Sequence, residues 1–179
     1  MTLRAEKLEE TRQRIVEATL ALHEELGPAR TTVAAIAKRA SVSRPTVYNQ
    51  FPDDLSLFSA CSGHFLAQHP APKLVGVKLE DALLGLYTFF AENEQTLDHI
   101  ERDARLLPAL AQVYGHALAA RTEAANSHAD QLARGDRPVR ALVGLAFTFH
   151  AWQQLDRAGL SVSDAASLMA SLAHASAAR

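Results

Sequence analysis

Thr31–Phe51 reads TTVAAIAKRASVSRPTVYNQF, and the spacing of its apolar residues decides the fold. Val33, Ile36 and Ala37 recur at helical intervals, and Ala40 closes a short helix. Ser41-Val42-Ser43 reads as a tight turn with Val42 as a plug between two helices. Ser43 suits the N-cap of a second helix, and Pro45 falls in its first turn, where a missing N–H is harmless. Around one inward position, Val47, that helix carries Arg44, Thr46, Tyr48, Asn49 and Gln50. A short helix with hydrogen-bonding side chains on its free side is what a DNA major groove accepts. The stretch is therefore read as a helix-turn-helix with Arg44–Gln50 as its recognition helix.

Upstream, Ile15, Thr19, Leu22 and Leu26 form one stripe of a first helix, which Gly27-Pro28 ends. That helix braces the other two into a three-helix domain. Residues 1–10 are polar; Arg4, Lys7, Arg12 and Arg14 suit either phosphate contacts or a solvated helix end. Downstream, Pro52-Asp53-Asp54 opens a fourth helix with two carboxylates at its positive end. Leu55, Phe58, Ser62 and Phe65 give it an inward stripe, and Gln68-His69-Pro70-Ala71-Pro72 breaks it.

From Leu79 onward the periodicity stays helical and no strand alternation occurs. One helix follows Leu79, Leu83, Leu86 and Phe90; a short one follows Leu97, Ile100 and Ala104. Pro108 starts a long helix, Pro138 another reaching about Arg157, and the last spans about 163–177 with Ser161 or Ser163 as cap. The fold class expected is all-α. A three-helix domain over 1–52 precedes a helical domain over 53–179, with 53–68 as the helix linking them.

The 179 residues are 48% hydrophobic, enough to bury a real core. No apolar run approaches the ~20 residues of a membrane span, and the start lacks a signal-peptide pattern. A single cysteine, Cys61, excludes an internal disulfide and a multi-cysteine zinc site, so a cytoplasmic location is expected. The net charge is −2, but residues 1–50 hold eight Lys/Arg against six Asp/Glu. The basic end thus coincides with the helix-turn-helix. An enzyme on a helical scaffold is disfavoured, because no nucleotide loop, HExxH, GxSxG or cleft carboxylate pair is visible. The eight histidines show no i, i+4 pair and no Cys/Asp/Glu cluster at ligand spacing, so no metal site or other cofactor is expected. Cys61 reads as a small buried hydrophobe.

The last two helices show more apolar surface than one flank can cover. On 137–157 one stripe is Val139, Leu142, Val143, Ala146 and Phe149; a second is Ala141, Leu145, Thr148, Trp152 and Leu155. The final helix sets Leu168, Met169 and Leu172 beside the small residues Ala166, Ala170, Ala173 and Ala177. Two helices per chain pairing about a two-fold axis would give a four-helix bundle dimer. The expected interface is Val139, Leu142, Val143, Ala146, Phe149, Ala166, Met169, Ala170 and Ala173; the alternative buries both stripes inside one chain.

Thr31-Thr32-Val33, Ile36-Ala37, Ala40, Val42-Ser43, Thr46-Val47-Tyr48, Phe51 and Leu57 resemble the DNA-binding segment of the tetracycline-repressor (TetR) family of bacterial transcriptional regulators. The resemblance covers about residues 12–58. It implies a homodimer that reads a palindromic double-stranded DNA operator in successive major grooves, half-sites roughly 34–36 Å apart. It also implies, as the family default, repression relieved by a small-molecule effector. Thr31, Thr32, Thr46 and Tyr48 match positions that bind the phosphate backbone. Ser43, Arg44, Pro45 and Asn49 complete the expected interface, Arg44 having the fork that matches guanine. Two positions depart from the family pattern. Ser41 stands at a turn glycine, where a positive φ would cost ~1 kcal/mol, and Asp54 stands where a phosphate-contacting lysine is frequent. For the effector, Tyr87, Phe90, His99, Tyr114, His116, Phe147, His150 and Trp152 combine apolar walls with polar tips, although each also suits ordinary core or dimer interface. The rival within the same class is a helix-turn-helix protein without small-molecule control.

Overall fold

The computed structural model describes residues 3–178, and among these only helices and their connections occur. They are α1 (Leu3–Leu26), a 3-10 turn (Pro28–Arg30), α2 (Val33–Arg39), α3 (Arg44–Gln50), α4 (Asp54–Gln68) and α5 (Leu79–Glu92). They continue with α6 (Glu94–Asp103), α7 (Pro108–Ala133), α8 (Arg137–Ala146), α9 (Phe149–Arg157) and α10 (Val162–Ala177). The chain forms two compact units, 1–70 with 95–115 and 71–94 with 116–179.

In the first unit α1 packs on α2 and α4, and α2 on α3. The α1 stripe is inward as its spacing requires: Ile15, Thr19 and Leu22 are buried, with Ile36, Ala37, Val47, Phe51 and Leu57 in the same core. Thr19 satisfies its buried hydroxyl by donating to the Ile15 carbonyl at 2.7 Å. Gly27, at φ 84, ends α1 in a conformation that favours glycine. The α4 stripe differs from expectation. Leu57, Phe58 and Cys61 are buried, whereas Leu55 is exposed and Ser62 and Phe65 are half-buried. The Asp53 side chain caps the Ser56 N–H at 2.7 Å, starting the helix one residue later than Asp53 and turning Leu57 rather than Leu55 inward.

In the second unit α10 packs on α5, α8 and α9. Here the structure corrects two expectations. The helix expected over 138–157 is two helices, because Thr148 turns extended, donates its hydroxyl to the Leu145 carbonyl at 2.8 Å and caps the Ala151 N–H at 3.2 Å. A β-branched residue with a short polar arm competes well with the helix backbone at such a point. The expected dimer stripe is also largely spent inside the chain. Val139, Val143, Ala146, Phe149, Ala166, Met169, Ala170 and Ala173 are buried in their own unit, and Leu142 is half-buried. The small residues of α10 serve close approach to α5 and α8. Leu145, Leu168 and Leu172 remain outward, at 54%, 41% and 46% exposure.

Candidate nucleic-acid interface

The reading helix is built by local chemistry. The Ser43 side chain accepts the Thr46 N–H at 3.2 Å, and the Ser43 and Thr46 hydroxyls lie 2.7 Å apart. Pro45 sits in the first turn, where its ring needs no donor. Val47 is the one buried residue of α3; Arg44, Pro45, Tyr48 and Asn49 are exposed and Thr46 is half-buried. Tyr48 stands 56% exposed, so its ring is not packed between helices. At the other end, Arg12 reaches across from α1. It donates to the Gln50 carbonyl at 2.9 Å and lies 4.1 Å over the Phe51 ring. Arg12 thus closes the C-terminal end of α3, where a cation complements the dipole. Its pairing with Phe51 could not be found from local periodicity, because 38 residues separate Arg12 from Gln50.

The approach to α2 is equally specific. Thr32 is exposed and caps the helix, its hydroxyl accepting the Ala35 N–H at 3.2 Å, while half-buried Thr31 donates to the Gly27 carbonyl at 2.9 Å. Ser41 occupies the turn at φ 55, the left-handed region the missing glycine would have filled. Val42 is half-buried there. Arg39 pairs with Glu25 of α1 at 2.8 Å and ties α2 back to the brace. Thr31, Thr32, Ser43, Arg44, Pro45, Thr46, Tyr48 and Asn49 therefore lie on two adjoining helix N-termini and the free side of α3. Hydroxyls, backbone N–H groups and one guanidinium at such a place suit phosphate and base-edge contact.

The match to known proteins decides the identity of this domain. Residues 15–61 match the family described as bacterial regulatory proteins, tetR family. That stretch is a TetR-type domain. An uncharacterized HTH-type transcriptional regulator of Mycobacterium tuberculosis is 39% identical over 71 residues, 40% of this chain and 35% of the relative. The chain thus spans about a third of the length of the curated relatives it matches. Among solved structures, a TetR-like transcriptional regulator from Rhodococcus sp. RHA1 is 24% identical, with 91% of this chain and 93% of the other covered at a TM-score of 0.60. NalD of Pseudomonas aeruginosa, described as the secondary repressor of the MexAB-OprM multidrug efflux pump, is 19% identical over 93% and 95% of the two chains, TM-score 0.57. These matches describe regulators, not enzymes.

The residues expected at an effector site divide between the two units. His99 and Tyr114 belong to the first unit, where His99 Nδ1 donates to the His23 carbonyl at 3.0 Å and Tyr114 donates to Glu101 at 2.7 Å. Tyr87, Phe90, Phe147 and Trp152 are buried in the second unit. Phe90 meets Phe149 edge-on at 5.3 Å and Trp152 at 5.8 Å, and Tyr87 donates its hydroxyl to the Ala146 carbonyl at 2.8 Å. These rings are core, and burial raises the Tyr87 pKa. His116 and His150 are exposed. The aromatic-with-polar-tip pattern cannot separate a cavity lining from a satisfied core, and here the core claims most of it. Cys61 is buried too, its thiol pushed up to about 12 by burial, which leaves it a poor nucleophile at neutral pH. No described helix is long and apolar enough to cross a membrane.

Proposed function

We propose that the protein is a homodimeric repressor that reads a palindromic DNA operator in the cytoplasm and is released by a small-molecule effector. The exposed face of α3 carries this reading: Arg44, Pro45, Tyr48 and Asn49 stand outward around buried Val47. Residues 1–52 form the DNA-binding part, 53–179 the regulatory part, and 53–68 the link. Repression is the direction named for NalD. Effector control rests on the family resemblance. The consumption of Tyr87, Phe90, Phe147 and Trp152 in the core is the observation that favours the second reading, DNA binding without small-molecule control.

Selection from a random duplex pool tests the first reading. The wild-type protein is expected to enrich an inverted repeat, and Arg44→Ala to bind it roughly tenfold to a hundredfold more weakly with preference relaxed at one base pair per half-site. Failure to enrich any inverted repeat would reject it. A metabolite panel added to the bound duplex then separates the two readings: release by one compound supports effector control, and indifference to all supports the second.

A further inference from the structure

Asp103, the last residue of α6, lies outside the DNA-reading face yet grips the segment that leads into it. Its side chain is 2% exposed. Oδ2 accepts the Ala29 N–H at 2.9 Å. Arg102 donates Nε to Oδ1 at 2.7 Å and Nη2 to Oδ2 at 3.1 Å. Two further α6 side chains hold the end of α1: Gln95 Nε2 donates to the Glu24 carbonyl at 2.9 Å and His99 Nδ1 to that of His23 at 3.0 Å. Gln95, His99 and Asp103 follow one another at i, i+4 and i+8, so one stripe of α6 does all the gripping. Every one of these groups belongs to the first unit.

The gripped segment is wired tightly. Gly27 holds φ 84, and a Cβ there would meet Asp103 Oδ2 at 2.7 Å, so the carboxylate sits where only glycine lets it approach. Pro28 has no N–H, which makes the Ala29 N–H an orphan donor of the 3-10 turn, and Gly27 offers no side-chain cap. Asp103 supplies that cap from 74 residues away. Arg30 and Thr31 then donate their N–H groups to Gly27 and Pro28 at 3.3 and 3.1 Å, and the Thr31 hydroxyl returns to Gly27. The next residue, Thr32, caps α2.

We propose that Asp103 is a positioning residue for DNA binding: by holding the Ala29 N–H it sets where Thr31, Thr32 and the N-terminus of α2 stand against the phosphate backbone. The proposal rests on the DNA-binding reading of α2 and α3. Burial alone would push the Asp103 carboxyl up, but the hydrogen bonds from Arg102 and Ala29 and the Arg102 charge outweigh it and keep the group ionised, the stronger acceptor.

The test uses the full-length protein and the duplex that wild type enriches. Asp103→Asn keeps the shape and weakens the acceptor; Asp103→Ala removes it. Amide exchange at Ala29 is expected to quicken in both. Affinity is expected to fall about threefold for the first and about tenfold for the second. Ile15→Val trims the same unit's core and lowers the melting temperature without touching the segment, so it should bind like wild type. Faster Ala29 exchange with wild-type affinity in Asp103→Asn overturns the proposal. So does an equal loss of affinity in Ile15→Val, which would reduce Asp103 to a stabiliser. Should Asp103→Ala fail to fold, Asp103→Asn against Ile15→Val decides alone. A wild type that enriches no duplex defeats the DNA-binding reading itself, a result distinguishable from either.

Discussion

Ser41 shows how one side chain can carry a backbone decision. Its φ of 55 is the only positive value on a non-glycine among the described residues, and Ser41 is exposed, so its side chain gains little there. Only the helix–turn–helix geometry holds it. Ser41→Gly should raise the unfolding free energy by roughly 0.5–1 kcal/mol, the relief of left-handed strain less the extra freedom of glycine in the unfolded chain. Ser41→Ala keeps the strain and should stay near wild type, and urea unfolding compares them. A glycine variant no more stable than the alanine variant would mean the turn is unstrained. His23 makes a second case. Burial lowers its pKa from 6.5 to about 4, against the opposing pull of the Asp103 charge, and its ring faces Phe58 at 5.6 Å. Between those pH values the unfolded chain takes up a proton that the folded one refuses. Stability is therefore complete above pH 6.5 and declines as pH falls toward 4, by roughly 3 kcal/mol in all. His23→Gln should flatten that slope in urea titrations. Asp103, whose carboxyl is lowered, loses its contribution only below its ordinary 3.8, so the two windows stay apart.

At the scale of elements, sequence was most legible where a helix end is made by adjacent residues. Gly27-Pro28, Ser43 with Pro45, and Ser161 all end or begin helices as their chemistry requires. It was least legible where an end depends on one competing side chain, as at Thr148, which carries no glycine or proline to announce the break. The outward side chains of α3 were readable because the helix is short and buries only Val47; the Arg12 and Asp103 contacts were not, since each joins residues far apart in sequence. The start of α4 combines both lessons. Asp53 caps it, and Asp54 places a second carboxylate in its first turn, favourable to the helix dipole by about 0.3–1 kcal/mol. The same charge opposes a phosphate, and the family resemblance puts a lysine there. Asp54→Lys should thus trade a small loss of thermal stability for tighter DNA binding, with the salt dependence of log K steeper by about one. An unchanged salt slope would show that Asp54 stands clear of the DNA.

For the whole molecule, the homodimer proposed above needs a surface that makes the pair. A palindrome reader needs two copies, yet the stripe that periodicity nominated is occupied by the chain's own α5, α8, α9 and α10. Periodicity reveals that a helix is apolar on two sides; it cannot say which side the same chain claims first. What remains outward on α8 and α10 is Ala141 and Leu145, four apart, and Leu168 and Leu172, also four apart. Each pair therefore lies on one face of its helix. In an isologous interface every such leucine is buried twice, once per copy, so a charge introduced there is felt twice. Leu145→Glu together with Leu172→Glu should raise the dimer dissociation constant at least ~100-fold, since two charges in each copy would be left buried and unpaired. Because both positions are already exposed in the single chain, the helix content and melting behaviour of the monomer should be retained. Sedimentation over a concentration series reads the outcome: a dimer that survives both glutamates would place the contact elsewhere on the molecule, and DNA binding lost along with dimerisation would show that a lone copy cannot hold the operator.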